Sequence, residues 1–175
     1  MSLDKTKNSL YISALTRSAL IAAIIFVMTK FLMVPIPGGF GYVHLGDGAV
    51  FLAAALLPQP FAFVTAAVGA SLADIGPYAI YIPITFITKA AMTLAFSHKS
   101  QRLIFLRNIM ALGVGVIINS VFYYLGECII YSGFAAPLAN IPFNLLQSAV
   151  GAVLFALVGV FLDANPRVRK IIRGR

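Results

Sequence analysis

His44 and Asp47 stand three residues apart in Gly41-Tyr42-Val43-His44-Leu45-Gly46-Asp47-Gly48, within a chain that is 61% hydrophobic and holds only five acidic residues. An imidazole and a carboxylate at this spacing can present polar groups to a ligand, and the flanking glycines let backbone come close to it. The same residues also read as a turn, with Asp47 as an N-cap for an apolar helix beginning at Ala49. Both readings stay open on these residues alone. Asp74, Lys89 and Glu127 interrupt other apolar runs. Asn119, Tyr123 and Glu127 recur at intervals of four, which puts them on one helical stripe. Asn144 and Gln147 are spaced like two amides reading one ligand, or like two interhelical hydrogen-bonding groups. Tyr78, Tyr81 and Tyr123 can stack on an aromatic ligand, although tyrosines near an interface also form the aromatic belt of membrane helices.

The elements that must carry these groups are apolar. The mean hydropathy is +0.96 and charged residues make up 10% of the chain, against about 25% in ordinary soluble domains. The expectation is an all-α integral membrane protein forming a single domain over residues 1–175, with spans near 10–34, 44–57, 61–75, 78–96, 108–131 and 143–162. The second and third runs are short, and read either as two compact helices or as a re-entrant hairpin around Pro58-Gln59-Pro60. The basic start and first apolar run resemble a signal peptide, but the run continues without a convincing cleavage signal and is read as a transmembrane helix.

All but Lys30 and Lys89 of the 13 Lys and Arg residues fall in the N-terminal segment, the 97–107 loop or the C-terminal tail. The positive-inside rule makes that face, and both termini, cytoplasmic. Asp47, Asp74 and Glu127 then lie in the outer half of the bundle, and Lys89 lies too deep to reach an interface easily. Charges inside a membrane segment usually face a bundle interior or a water-filled cavity. Lys89 is expected either to pair with Asp47, Asp74 or Glu127, locking helix packing, or to reach a ligand.

Other chemistries find little support. The net charge of +8 is not organised as an aromatic-interleaved patch, so nucleic acid is not an expected partner. Cys128 is the single cysteine, which excludes an intrachain disulfide, and the two histidines are well separated, so no metal or other cofactor is expected. No phosphate loop, nucleophile elbow or zinc helix is present. Asp47 and Asp74 have the chemistry to hold magnesium, but the expectation is a protein that is not an enzyme and has no ATPase site of its own.

Tyr42-Val43-His44-Leu45-Gly46-Asp47, then Ala73-Asp74 with Tyr78-Ala79-Ile80-Tyr81, then Pro83 and Lys89, resemble the substrate-binding S components of energy-coupling factor (ECF) vitamin transporters. The motif looks like the branch associated with hydroxymethylpyrimidine, pyridoxine or related compounds. The resemblance implies a compact six-helix bundle in a bacterial or archaeal cell membrane. It implies a small vitamin bound near the external face, under the loop at 35–42, and delivered inward with a transmembrane coupling subunit and two cytosolic ATPases.

With the depth argument, the resemblance points to His44, Asp47, Lys89, Tyr123, Glu127, Asn144 and Gln147 as the polar lining, with Tyr42 and Tyr81 as aromatic candidates. It also gives a role to small residues on the first helix. Ala19 and Ala23, or Ala14, Ser18 and Ala22, supply the close-packing pattern by which family members dock on the coupling subunit. A riboflavin-sized ligand and a self-sufficient ion-coupled transporter are the competing expectations.

Overall fold

The computed structural model describes residues 2–36 and 41–173, with residues 2–7 as helical backbone only. Its first helix, α1 (Ser2–Lys30), carries large exposed side chains such as Leu20 and Val27 on one flank and buries Ala14, Ser18 and Ile25 on the other. A short hairpin follows, which the all-α expectation did not include. Strand β1 (Met33–Pro35) pairs antiparallel with β2 (Tyr42–His44), in the register Met33 to His44 and Pro35 to Tyr42. Pro35 ends its strand, where its missing N–H costs no ladder bond. Gly41 has φ of +97°, a conformation natural to glycine, and its carbonyl accepts the Ile36 N–H at 3.0 Å. The proposed ligand cover at 35–42 includes residues 37–40, which lie outside the described residues.

Helix α2 (Gly46–Leu56) is buried on nearly every side: Ala49, Val50, Phe51, Ala53, Ala54 and Ala55 are all at most 2% exposed. A helix that is apolar all round belongs in an interior. Pro58 and Pro60 break the chain before α3 (Gln59–Ala73), with Pro60 in its first turn, where a missing amide is harmless. Ala62, Ala66 and Ala70 share a buried face, so α3 packs closely on α1 and α2. Lys30 closes this corner: its Nζ donates to Ala73 O and Ile75 O, both at 2.9 Å, capping the carbonyl end of α3.

A 3-10 turn at Ala79–Tyr81 leads into α4 (Ile82–Met92), which is shorter than the run expected at 78–96 because Pro83 opens it and the chain leaves helical geometry after Met92. Helix α5 (Leu106–Ile130), the short α6 (Ala135–Leu138), α7 (Ile141–Ala164) and α8 (Pro166–Arg173) complete the chain. At the end carrying most basic residues, Asp163 accepts the Leu103 and Ile104 amides and pairs with Arg169 at 3.0 Å, fixing the 93–105 connection to α7 and α8. The core centres on Phe96, stacked on Phe51 at 5.6 Å and edge-on to Phe155 at 5.8 Å.

Among the described residues three stretches are long and apolar enough to cross a membrane: Asn8–Lys30, Leu106–Ile130 and Ala135–Ala164. The other expected spans form the shorter helices Gly46–Leu56, Gln59–Ala73 and Ala79–Met92. With rises near 1.5 Å per residue, these fall short of a roughly 30 Å hydrocarbon core and lean on the long helices for cover.

Candidate functional site

The N-terminal turn of α2 is where the buried charges meet. Leu45, not Asp47, is the N-cap, and it makes no side-chain cap, so the expectation of Asp47 as an N-cap is corrected. Asp47 turns inward instead. Its Oδ1 accepts Lys89 Nζ at 2.6 Å, and its Oδ2 accepts Gln147 Nε2 at 3.0 Å and Ser148 Oγ at 2.8 Å. Lys89 Nζ also donates to Asn119 Oδ1 at 2.7 Å. Of the three partners open to Lys89 on sequence grounds, the fold selects Asp47, with both side chains 0% exposed. A pair so deeply placed needs further hydrogen bonds to offset its desolvation, and Asn119, Gln147 and Ser148 supply three.

The network ties four helices and the hairpin together. Asn119 Nδ2 donates to the Asn144 carbonyl at 3.3 Å, joining α5 to α7. Gln147 Oε1 accepts the His44 amide at 3.2 Å, and His44 Nδ1 accepts the Gly46 amide at 3.0 Å, so the hairpin is pinned to α2 and α7. That second contact leaves the proton of a neutral His44 on Nε2. Helices α2 and α7 come close because Gly151 faces Asp47; a Cβ there would lie 2.8 Å from Asp47 Cβ.

Over this network lies a cavity. Tyr42 and His44 from β2, Asn144 and Gln147 from α7, and Tyr123 and Glu127 from α5 supply much of its wall. Tyr81 from the 3-10 turn lines it too, so seven of the expected site residues converge there. Asp47 and Lys89 do not line it. They sit behind it, and Tyr123 joins the two layers, its ring centroid 5.1 Å from Lys89 Nζ while its hydroxyl meets Thr85 Oγ1 at 2.9 Å.

Sequence reasoning left Asp74, Thr85, Ile36 and Gly41 out of the lining. Asp74 closes α3 and accepts the Tyr42 hydroxyl on Oδ1 at 2.5 Å. Burial, reinforced by the Asp74 carboxylate, pushes the Tyr42 phenol well above its ordinary pKa and keeps it a donor. Thr85 lies one helical turn before Lys89, and Ser148 one turn after Asn144, so an i, i+4 search from the polar residues already noticed would have found both.

Two groups on the wall are unspent. Asp74 Oδ2 makes no hydrogen bond of good geometry, though Thr85 lies near it, and Asn144 Nδ2 has no acceptor. Asp74 is 1% and Asn144 6% exposed, so neither deficit is met by bulk water. One is an acceptor and the other a donor, and both belong to the cavity wall. Tyr81 on the wall is held from behind by a 2.7 Å hydroxyl contact with Tyr131, and Glu127 Oε2 accepts Asn140 Nδ2 at 2.9 Å. The cavity measures about 20 Å³, room for roughly one water, whereas pockets for small ligands usually exceed about 300 Å³. Admitting a heterocycle therefore requires the walls to part.

No curated protein matches the chain. The family model described as "ECF-type riboflavin transporter, S component" matches residues 9–163, which takes in most of α1, all of α2 to α6, α7 except its last residue and all of the polar network. A multi-pass apolar chain whose buried polar side chains gather round one cavity is what a membrane subunit that binds substrate requires, and on this match the chain belongs to the family of S components of ECF-type riboflavin transporters.

Proposed function

We propose that this S component captures a small water-soluble vitamin or vitamin precursor from the external side and delivers it inward with a coupling subunit and two ATPases in a bacterial or archaeal cell membrane. The observation that carries the reading is the pair of unsatisfied wall groups, Asp74 Oδ2 and Asn144 Nδ2, set among Tyr42, Tyr81 and Tyr123. A ring with one hydroxyl or amino donor and one acceptor would satisfy both groups while its faces meet tyrosines. Hydroxymethylpyrimidine and pyridoxine fit that description and suit a small cavity. Riboflavin is the second reading, supported by the description of the matching family.

In this proposal Tyr42, His44, Tyr81, Tyr123, Glu127, Asn144 and Gln147 contact the ligand, joined by Asp74, while Asp47 and Lys89 hold the floor in place. The bundle crosses the membrane six times, its three shorter helices shielded by the longer ones, with both termini cytoplasmic. Docking to the coupling subunit uses the first helix. The test is native mass spectrometry of the detergent-purified protein, followed by calorimetric titration with pyridoxine, hydroxymethylpyrimidine, thiamine and riboflavin. A co-purifying vitamin, or tight binding of one of the four, is the expected result. A well-folded sample that binds none of them, yet supports ion-coupled flux alone in vesicles, would overturn the proposal.

A further inference from the structure

We infer that the outward face of α8 is a docking surface for anionic phospholipid, with Val168 and Ile171 seated at the edge of the acyl chains and Arg167 and Lys170 on headgroup phosphates. This contact is independent of the cavity, which lies at the other end of α2.

Helix α8 is fixed against the bundle. The chain leaves helical geometry at Asn165, and Pro166 opens the new helix. Arg169 pairs with Asp163 at 3.0 Å, and Ile172 packs on the core. Arg173 donates to the carbonyls of Ser100 and Ala55, while Arg17 of α1 donates to the Ile172 carbonyl at 3.4 Å and to that of Arg173. Ala55 is buried in α2, and Arg17 lies roughly 13 Å inside the start of the apolar stretch Asn8–Lys30. These ties hold α8 at the level of the membrane boundary.

The helix then divides cleanly by face. Arg169, Ile172 and Arg173 point into the protein, leaving Arg167, Val168, Lys170 and Ile171 outside. Arg167 and Lys170, three apart, share one edge of the outer face; Val168 and Ile171, also three apart, share the other. Ile171 is 77% exposed. Large exposed side chains on α1, α5 and α7 belong to stretches long enough to cross a membrane, but α8 has eight residues and cannot span. Its outer face therefore joins apolar groups that water disfavours to cations that acyl chains reject. The boundary between headgroups and chains accepts both.

The charge on this face specifies the lipid. Asp163 is the one carboxylate on α7 or α8, and it is engaged by Arg169 and by the Leu103 and Ile104 amides. Among the described residues Arg167 and Lys170 have no hydrogen-bond or ion-pair partner, so their charge is available to an anionic leaflet.

The chain contains no tryptophan, so Ile171→Trp places a single fluorophore on the proposed surface. Val168→Trp, on the same edge, is the second probe should the first fail to fold. The full chain is reconstituted in vesicles of phosphatidylcholine and phosphatidylglycerol, with one lipid or the other brominated near its glycerol end. Blue-shifted emission is expected, with stronger quenching by brominated phosphatidylglycerol than by brominated phosphatidylcholine at equal mole fraction. The local preference should be about fivefold for each cation, and should fall to near one when Arg167→Gln and Lys170→Gln are added. Both glutamines replace exposed side chains, so the fold is kept. Water-like emission that iodide quenches and brominated lipid does not would overturn the proposal and leave the face to a protein partner. Equal quenching by the two lipids would overturn the anionic preference, and a preference that survives both glutamines would overturn its assignment to Arg167 and Lys170.

Discussion

Asp47 receives three side chains from two helices and is itself placed by a third, so its role is felt through what it holds rather than through the cavity wall. Removing one member of such a pair strands the other charge, at a cost of about 3–5 kcal/mol, whereas replacing both by apolar groups of similar size is often neutral. Lys89→Met alone is therefore expected to lower the melting temperature in detergent sharply, and the double variant Asp47→Leu with Lys89→Met to recover much of the loss. Equal melting of the single and double variants would show that the pair does not act as a unit. Asn144 has the opposite character. Its Nδ2 is already without a partner, so Asn144→Ala should leave the ligand-free melting temperature nearly unchanged while weakening ligand binding by about 1–2 kcal/mol, roughly 5- to 30-fold. A large drop in stability with unchanged affinity would assign Asn144 to packing.

Elements bring these residues together through close helix approach, as where α2 meets α7. A Cβ on Gly151 would fall 2.8 Å from Asp47 Cβ and 2.9 Å from the Gly48 amide nitrogen. Gly151→Val should cost about 1–3 kcal/mol by overpacking and, by displacing Asp47, lower ligand affinity as well. Thermal melting and titration on one sample would check both; a change in stability alone would mean that the floor tolerates a shift of α2. This coupling was hidden in the sequence, where Gly151 is one glycine in an apolar run. The runs themselves were legible, since hydropathy reports burial in lipid or protein whatever the partner. It could not say which, and so α2, buried in protein, gave the same signal as a helix that faces lipid. The hairpin was illegible for a related reason: three-residue strands beside Pro35 and Gly41 carry too short an alternation to register. Lys89 was visible as a charge among apolar residues, but its choice of Asp47 over Asp74 or Glu127 depends on the rotation of α2 against α4, which no spacing within a single helix encodes.

At the scale of the whole molecule, the question is which apolar surface faces lipid and which faces a partner. Helices α1, α5 and α7 all expose large side chains, Leu20, Ile117 and Leu157 among them, so exposure alone does not mark a docking face. The flank formed by α1 and α3 differs in shape. Ala19 and Ala22 from α1 and Val64 and Val68 from α3 line an apolar groove there, beside Phe61. Along α1 the small residues divide. Ala14 and Ser18 are buried against the chain's own helices, and Ala22 is where α1 meets Gly69 of α3, whose Cβ would lie 2.8 Å from the Ala22 carbonyl. Ala19 and Ala23 face outward. If a coupling subunit packs on this groove, Ala19→Leu and Ala23→Leu should impair assembly with it while leaving melting temperature and ligand affinity unchanged, because the added volume projects away from the fold. Ala14→Leu should instead destabilise the isolated chain by about 1–3 kcal/mol, as overpacked helix contacts do. Co-purification of the coupling subunit, read beside melting and titration of each variant, separates these outcomes. Normal assembly by both Ala19→Leu and Ala23→Leu would move the docking face off α1.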